Sequence, residues 1–253
     1  MSSLATHLRQ GTQDARNAAE NTAFMRCCAS GIVEREPFRK LLANLYFVYG
    51  ALEKALFDHR NHPVVASIYF PELNRKDSLE KDLAFYYGED WPDQIEASRT
   101  CLAYVVRIHA IANSQPELLV SHSYALYLGN LSDGQILRNI ARLALELPPG
   151  QGTALYEFEQ LPAVEAKQAF KTRYWQTLDI LPVNEATCQK IVEEANDAFS
   201  LNQKLMHELE ADLKAGIGES IFQQLTGGRN ANSTALTSHL APVTLMASGR
   251  PFG

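Results

Sequence analysis

The chain has 253 residues, of which 46% are hydrophobic and 21% are charged. This size and composition fit a globular protein with a sizeable core and exclude a small scaffold that depends on disulfide bonds. Its 23 lysines and arginines against 29 aspartates and glutamates give a net charge of −6, which argues against nucleic acid or an anionic membrane as the main partner.

The hydrophobic residues recur with helical spacing along nearly the whole chain. Short connections containing proline or glycine separate the apolar runs, as is typical of antiparallel helical neighbours. The predicted helical segments are Leu4–Cys28, 37–58, Leu73–Tyr87, Gln94–Ala112, Pro116–Leu147, Pro162–Leu178 and Glu185–Lys214. The pattern predicts an all-α fold with a single helical domain over residues 1–226.

The last part of the chain loses this periodicity. Residues 227–253 read GGRNANSTALTSHLAPVTLMASGRPFG and are rich in small and polar side chains. We expect a flexible tail there.

The cysteines and the N-terminus bear on location. The four cysteines form neither a CxxC pair nor a zinc-ligand spacing, so we interpret them as reduced structural thiols: Cys27, Cys28, Cys101 and Cys188. The chain opens without an apolar signal segment, and its most apolar stretch, Leu41–Leu52, is too short to cross a bilayer. We expect a cytoplasmic protein with no membrane segment.

One predicted helical segment contains residues that disfavour a helix. The middle of Pro116–Leu147 reads GNLSDG from Gly129 to Gly134, and only its leucine is a good helix former. Propensity favours a loop between two helices. The alternative is a bent helix whose glycines let the backbone approach a flat ligand closely. Periodicity leaves both open.

Five sequence blocks occur in an order that is similar to one known family. They are LRQGTQDARNAAENTAFMRC, ANLYFVY, IYFPELNRK, PELLVSHSYALYLGNLSDGQIL and EEANDAFSLN. Together they resemble the heme oxygenases, particularly the cyanobacterial and plastid branch, whose first and fourth blocks read close to LREGTKxxHxxAEN and YTRYLGDLSGGQ. The resemblance implies a heme-oxygenase-like helical domain.

The resemblance also implies a reaction. Heme oxygenases open haem to biliverdin, iron and carbon monoxide with O2 and electrons, which ferredoxin usually supplies in phototrophs. Haem lies between a proximal helix with the axial histidine and a kinked distal helix, where glycines press on the ring and a carboxylate organises water. For this chain, the resemblance favours the bent helix over the loop.

The chain departs from the family at the residues that carry the chemistry. Arg16 stands at the proximal histidine, Asn130 at the distal carboxylate and Asp133 at the first of two adjacent glycines. A protonated guanidinium offers iron no lone pair. Leu126 and Gln13 replace a distal arginine and a lysine near the propionates.

Other positions match the family and are candidates for binding the tetrapyrrole. Lys167 and Lys171 lie one helical turn apart where basic residues meet the propionates, although they also fit an ordinary solvated face. Tyr49 and Tyr104 fall in the distal polar network or are simply core tyrosines. The candidate binding residues are Glu20, Tyr124, Gly129, Ser132, Gly134, Lys167, Lys171, Phe199 and Asn202.

No histidine in the sequence is an obvious replacement for the lost ligand. We interpret the alternatives as surface or core residues: His7, His109, His122 and His207. Asp133 would be a poor oxygen ligand. A di-iron site is disfavoured because no histidine has a glutamate three residues before it. We therefore predict no resident metal site.

The paired substitutions suggest a new ionic arrangement. Arg16 and Asp133 would face one another across the ring, so a charge-assisted bond between them could close or reshape the slot. Glu20, four residues after Arg16, is the alternative partner.

Two functions follow from these residues. The first is a heme-oxygenase-like protein with lost or strongly impaired oxygenation, acting as a binding or regulatory scaffold for a tetrapyrrole or a protein partner. The second is an active heme oxygenase with atypical ligation that uses ferredoxin-derived electrons. In the first case haem is a ligand without the family's histidine, and in the second it is the substrate.

Overall fold

Residues 3–227 are described by the computed structural model and contain helices and no strand, which confirms the all-α prediction. The helices are α1 Leu4–Gly11, α2 Gln13–Glu20, α3 Ala23–Ala29, α4 Arg35–Asp58, α5 Lys76–Tyr87, α6 Arg99–Ser114, α7 Leu119–Ser123, α8 Gly129–Ser132, α9 Gly134–Ala144, α10 Val164–Asp179, α11 Glu185–Glu208, α12 Glu210–Ile217 and α13 Glu219–Thr226. Shorter helical turns are Val65–Ile68, Pro71–Leu73, Trp91–Gln94, Pro116–Leu118 and Ala154–Tyr156. The tail predicted from Gly227 lies, beyond that residue, outside the described part of the chain.

The N-terminal stretch is three helices, so the prediction of one helix over Leu4–Cys28 was wrong. At the first break the Thr12 hydroxyl donates to the Leu8 carbonyl at 2.6 Å. At the second, the Thr22 hydroxyl accepts from the Met25 amide and caps α3. Side chains that bond to nearby backbone in this way compete with continuation of a helix.

A long central helix organises the core. Helix α4 packs against both α5 and α6, and α11 packs against α1, α2 and α6. The start of α6 is set at Arg99 rather than Gln94, because the Ser98 hydroxyl accepts from the Cys101 amide at 3.1 Å. These helices bury one large apolar cluster and leave a cavity beside it.

The stretch in which propensity predicted a loop is helical. A π-helical turn, Tyr124–Leu128, follows α7 and leads into α8, and Asp133 continues with helical dihedrals (φ −72°, ψ −25°) into α9. The structure therefore supports the helical alternative, and the loop was wrong. A π turn inside a helix is a recognised cause of bending and is frequent at functional sites.

A buried carboxylate anchors the turn that supports one cavity wall. Asp82 on α5 is fully buried, and its two oxygens accept from the Ala154 and Leu155 amides at 2.7 and 2.8 Å. That turn carries Tyr156, which lines the cavity. Burial raises the pKa of Asp82 to about 6, against the opposing effect of the two amide hydrogen bonds.

The sequence predicted reduced cysteines and no membrane-spanning segment. All four cysteines are free thiols, and three of them are buried. Within residues 3–227, none of the helices combines the length and the apolarity that a bilayer crossing requires.

Candidate active site

A cavity of about 460 Å³ lies between the N-terminal helices and the segment that contains the π turn. Its volume falls in the usual range for small-molecule sites, roughly 300–1,000 Å³. Nine of the twelve predicted site residues line it: Arg16, Glu20, Tyr124, Gly129, Asn130, Ser132, Asp133, Phe199 and Asn202. These residues come from α2, from the π-turn segment and from α11, so the fold brings together positions far apart in sequence.

The three other predicted residues do not line the cavity. Gly134 is buried, and a Cβ atom there would lie 2.9 Å from Cδ1 of Tyr156, so this glycine serves close packing. Lys171 donates from Nζ to Ser132 Oγ at 3.3 Å and thus touches the outside of the wall. Lys167 bonds to the Pro162 carbonyl at 3.1 Å on an exposed face.

Gly129 has no packing reason within the chain to be glycine. It lines the cavity in α8 with an ordinary helical φ of −59°, and an added Cβ would meet no atom within 4 Å. Glycine inside a helix costs roughly 0.5–1 kcal/mol relative to alanine. The chain therefore keeps open space at this wall without any internal need for it.

The Asn130 amide is fixed by a buried tyrosine. The Tyr49 hydroxyl donates to the Leu126 carbonyl at 3.1 Å, so it must accept from Asn130 Nδ2, which lies 2.6 Å away. Asn130 Oδ1 takes part in no hydrogen bond among the described residues. An acceptor oxygen is thus left at the cavity wall where the family pattern has a carboxylate.

The Arg16 guanidinium does not form the ion pair that we predicted with Asp133. Its partner is Glu20, one turn further along α2, with 3.8 Å between Nε and Oε1. The cavity lies open in front of these side chains, so the idea of a closed slot was wrong. Because both partners are more than a third exposed, this pair contributes little to stability.

The cavity lining contains two carboxylates, and the charge of one acts on the other. Burial raises the pKa of Glu20 and the charge of Asp133 raises it further, whereas Arg16 lowers it. Burial also raises the pKa of Asp133, against the opposing charges of Arg16 and Lys171. The cavity therefore contains two carboxylates that are partly shielded from water.

No histidine lines the cavity in the described part of the chain. His122 is fully buried beside α11, where Nε2 lies 2.8 Å from Glu194 Oε1, and Arg107 pairs with the same carboxylate. His207 pairs with Glu210 at 2.6 Å. Among residues 3–227, no group of three His, Cys, Asp or Glu side chains could hold a metal ion.

The remaining lone-pair donors at the cavity are weak ligands. Burial raises the pKa of the Cys28 thiol to about 12, so it stays protonated. The Met206 sulfur already accepts from the Thr22 hydroxyl at 3.3 Å. Burial also raises the pKa of Tyr49, which keeps its hydroxyl neutral. Among residues 3–227, the cavity lining therefore offers no imidazole nitrogen for the axial ligation of a haem iron.

Sequence reasoning missed part of the aromatic lining. The Trp175 ring of α10 lies 5.7 Å from the Tyr124 ring, and the Phe199 ring lies 5.9 Å from Tyr124 on another side. Trp175 and Tyr156 join the cavity from distant segments. Nothing in their local pattern distinguishes them from core aromatics, so only the tertiary packing reveals them.

Comparison with known proteins agrees with this architecture. The heme oxygenase family model matches residues 2–208. "Heme oxygenase 2" of Synechocystis sp. is 53% identical over 97% of this chain and 99% of that protein. "Heme oxygenase 1" of Nostoc sp. is 48% identical over 94% of this chain and 98% of that protein.

A solved structure gives the same result. The crystal structure of heme oxygenase-2 from Synechocystis sp. PCC 6803 in complex with heme and NO has a TM-score of 0.89 and 52% identity. The match covers 92% of this chain and 96% of that one. With the family model spanning most of its length, this chain belongs to the heme oxygenase family.

Proposed function

We propose that this protein binds a tetrapyrrole in the cavity and that its oxygenation of haem is lost or strongly impaired. The observation that supports binding is Gly129, where the helix leaves space that no residue between 3 and 227 fills. The aromatic rings of Tyr124, Trp175 and Phe199 supply flat apolar walls of the kind that a conjugated macrocycle contacts.

The proposed impairment follows from Arg16 and Asn130. When bound, haem would supply an iron that binds O2, but no imidazole from residues 3–227 lines the cavity to ligate it. Asn130 donates to Tyr49 and carries no negative charge with which to order water. Axial ligation and electrostatic organisation are separate contributions, and both are altered here.

Heme oxygenase activity with atypical ligation is the second candidate. Relatives named heme oxygenase match this chain over almost its whole length, which favours a shared reaction with haem as substrate. The cavity-lining sulfur atoms of Met25 and Met206 or the carboxylates of Glu20 and Asp133 would then have to serve the iron. Ferredoxin would be the electron donor in that case, and we expect a cytoplasmic location for either function.

Turnover separates the two candidates. We expect the protein to form biliverdin from hemin, with ferredoxin and its reductase, at least about 100-fold more slowly than Synechocystis heme oxygenase 2 in the same assay. This is the scale of the rate loss when one preorganised electrostatic group is removed. Hemin titration followed by absorbance would show separately whether the cavity is filled. A rate equal to that of the relative would establish the second candidate.

Gly129→Ala tests whether the open space beside Gly129 is used by the ligand. The alanine should stabilise the ligand-free protein by about 0.5–1 kcal/mol, because it favours the helix and meets no neighbour. The same methyl group should weaken tetrapyrrole binding by about tenfold, since it enters the ligand's space. Urea unfolding and pigment titration give the two values.

Gly134→Ala is the matched control, five residues along the same segment. Its methyl group would lie 2.9 Å from Tyr156 Cδ1, so we expect it to destabilise the protein. If Gly129→Ala leaves binding unchanged, the open wall does not face the ligand.

A further inference from the structure

The cavity lining includes side chains with hydrogen-bond acceptor oxygens, among them Glu20, Asn130 and Asp133. Asn130 Nδ2 donates to the Tyr49 hydroxyl, and Asn130 Oδ1 accepts no hydrogen bond from the residues that the structure describes. Asp133 belongs to the same wall, three residues further along. Glu20 lies on α2, so acceptor oxygens reach the cavity from two different helical segments.

The two carboxylates favour a ligand that carries hydrogen-bond donors. Each is partly buried, and the charge of Asp133 acts unfavourably on Glu20. The cations near Asp133 are Arg16 on α2 and Lys171 on α10, yet neither forms an ion pair with it in the described part of the chain. N–H donors placed between these oxygens would satisfy them and relieve the repulsion.

Haem does not offer such donors. All its pyrrole nitrogens bind iron and carry no hydrogen. A planar metal-free porphyrin has N–H groups, but they point into the centre of the ring rather than toward a wall. An open-chain tetrapyrrole is different, because it twists, exposes its pyrrole N–H groups and gains another when it is protonated.

We propose that the preferred ligand of this cavity is an open-chain tetrapyrrole, a bilin, whose pyrrole N–H groups donate to Asp133 and Glu20. This inference rests on the proposed tetrapyrrole binding and names the ligand class. Arg16 keeps the cavity from accumulating two uncompensated negative charges. A bilin contains no iron, so its binding does not require an axial histidine.

The proposal is tested on the full chain by two absorbance titrations, one with biliverdin and one with hemin. We expect biliverdin to bind at least about tenfold more tightly than hemin. Bound biliverdin should also stay protonated to a higher pH than free biliverdin. The red absorption band of the protonated pigment reports this change. The charged side chains that line the cavity are Glu20, Asp133 and Arg16, and Lys171 acts on Asp133 from outside the lining. The lining thiol and hydroxyl groups are those of Cys28, Tyr49, Tyr124 and Tyr156.

Variants of Asp133 test whether its carboxylate accepts a hydrogen bond from the pigment. Asp133→Asn should lower the pH at which bound biliverdin loses its proton, whereas a role in folding alone would not move that pH. Asp133→Gly, which restores the family pattern, should shift the preference toward hemin. Glu193→Gln is the matched control: it removes an exposed carboxylate from α11, which also lines the cavity, and should change neither value.

The outcomes are distinguishable. If hemin binds more tightly than biliverdin, the bilin preference is overturned while tetrapyrrole binding stands. An Asp133→Asn variant whose bound pigment titrates like that of the unmodified chain removes Asp133 as the acceptor. If neither pigment binds, the proposed function itself fails.

Discussion

Replacing Arg16 with histidine is expected to raise the affinity for hemin by at least about tenfold, equivalent to about 1.4 kcal/mol. The imidazole would supply a neutral nitrogen ligand, which the described residues of the cavity lining do not provide. Glu20, one helical turn away and already the partner of Arg16, can orient the ring through a hydrogen bond. A Soret band typical of imidazole-ligated haem should accompany the tighter binding.

Efficient biliverdin formation is not expected from Arg16→His alone. Asn130 would still donate to Tyr49, and Asp133 would still occupy a wall where the family has glycine. Arg16→Gln is the control, because it removes the positive charge without adding a ligand. An affinity gain that is the same for glutamine and histidine would show that charge, and not ligation, limits haem binding.

Removing the Asp82 side chain is expected to cost about 2–5 kcal/mol of unfolding free energy at about pH 5. Asp82→Ala would leave the partly buried Ala154 amide and the buried Leu155 amide without acceptors, at about 1–3 kcal/mol for each. The turn that holds Tyr156 against Gly134 would lose its anchor. Urea unfolding measures the loss.

The cost of Asp82→Ala should shrink as the pH rises. Burial raises the pKa of Asp82 to about 6 in the folded protein, against about 3.9 for an unfolded chain. The folded state therefore binds the proton more tightly, and ionisation removes up to about 3 kcal/mol of stability between about pH 4 and pH 7. The Asp82→Ala variant has no carboxyl group at this position, so its stability does not fall for this reason as the pH rises.

Asp90→Ala, at an exposed position just after α5, is the control for a lost carboxylate. It should leave stability nearly unchanged at both ends of the pH range. A difference between Asp82→Ala and the unmodified chain that is the same at about pH 5 and about pH 7.5 would contradict the raised pKa.

Helical periodicity predicted the fold class because each long helix buries one apolar face. It could not place breaks that depend on single hydroxyl groups. Thr12 and Thr22 end and begin helices through their own hydrogen bonds, within a stretch that reads as one helix. The GNLSDG stretch shows the opposite error, since tertiary packing holds weak helix formers in a helix.

The motif comparison predicted most of the cavity lining but not the contacts within it. Arg16 prefers Glu20 because the two residues are one turn apart, whereas Asp133 lies on the other side of an open cavity. The orientation of the Asn130 amide depends on Tyr49 and Leu126, which meet only in the folded chain. Trp175 had no local signal at all.

Our proposal that no histidine ligates a bound haem can be tested directly on the unmodified chain. The chain would be loaded with excess hemin, reduced and exposed to nitric oxide, and its electron paramagnetic resonance spectrum recorded. We predict nitrogen hyperfine splitting from the nitric oxide alone. Additional splitting from a second, protein-derived nitrogen opposite the nitric oxide would mean that a side chain ligates the iron, and would contradict the account.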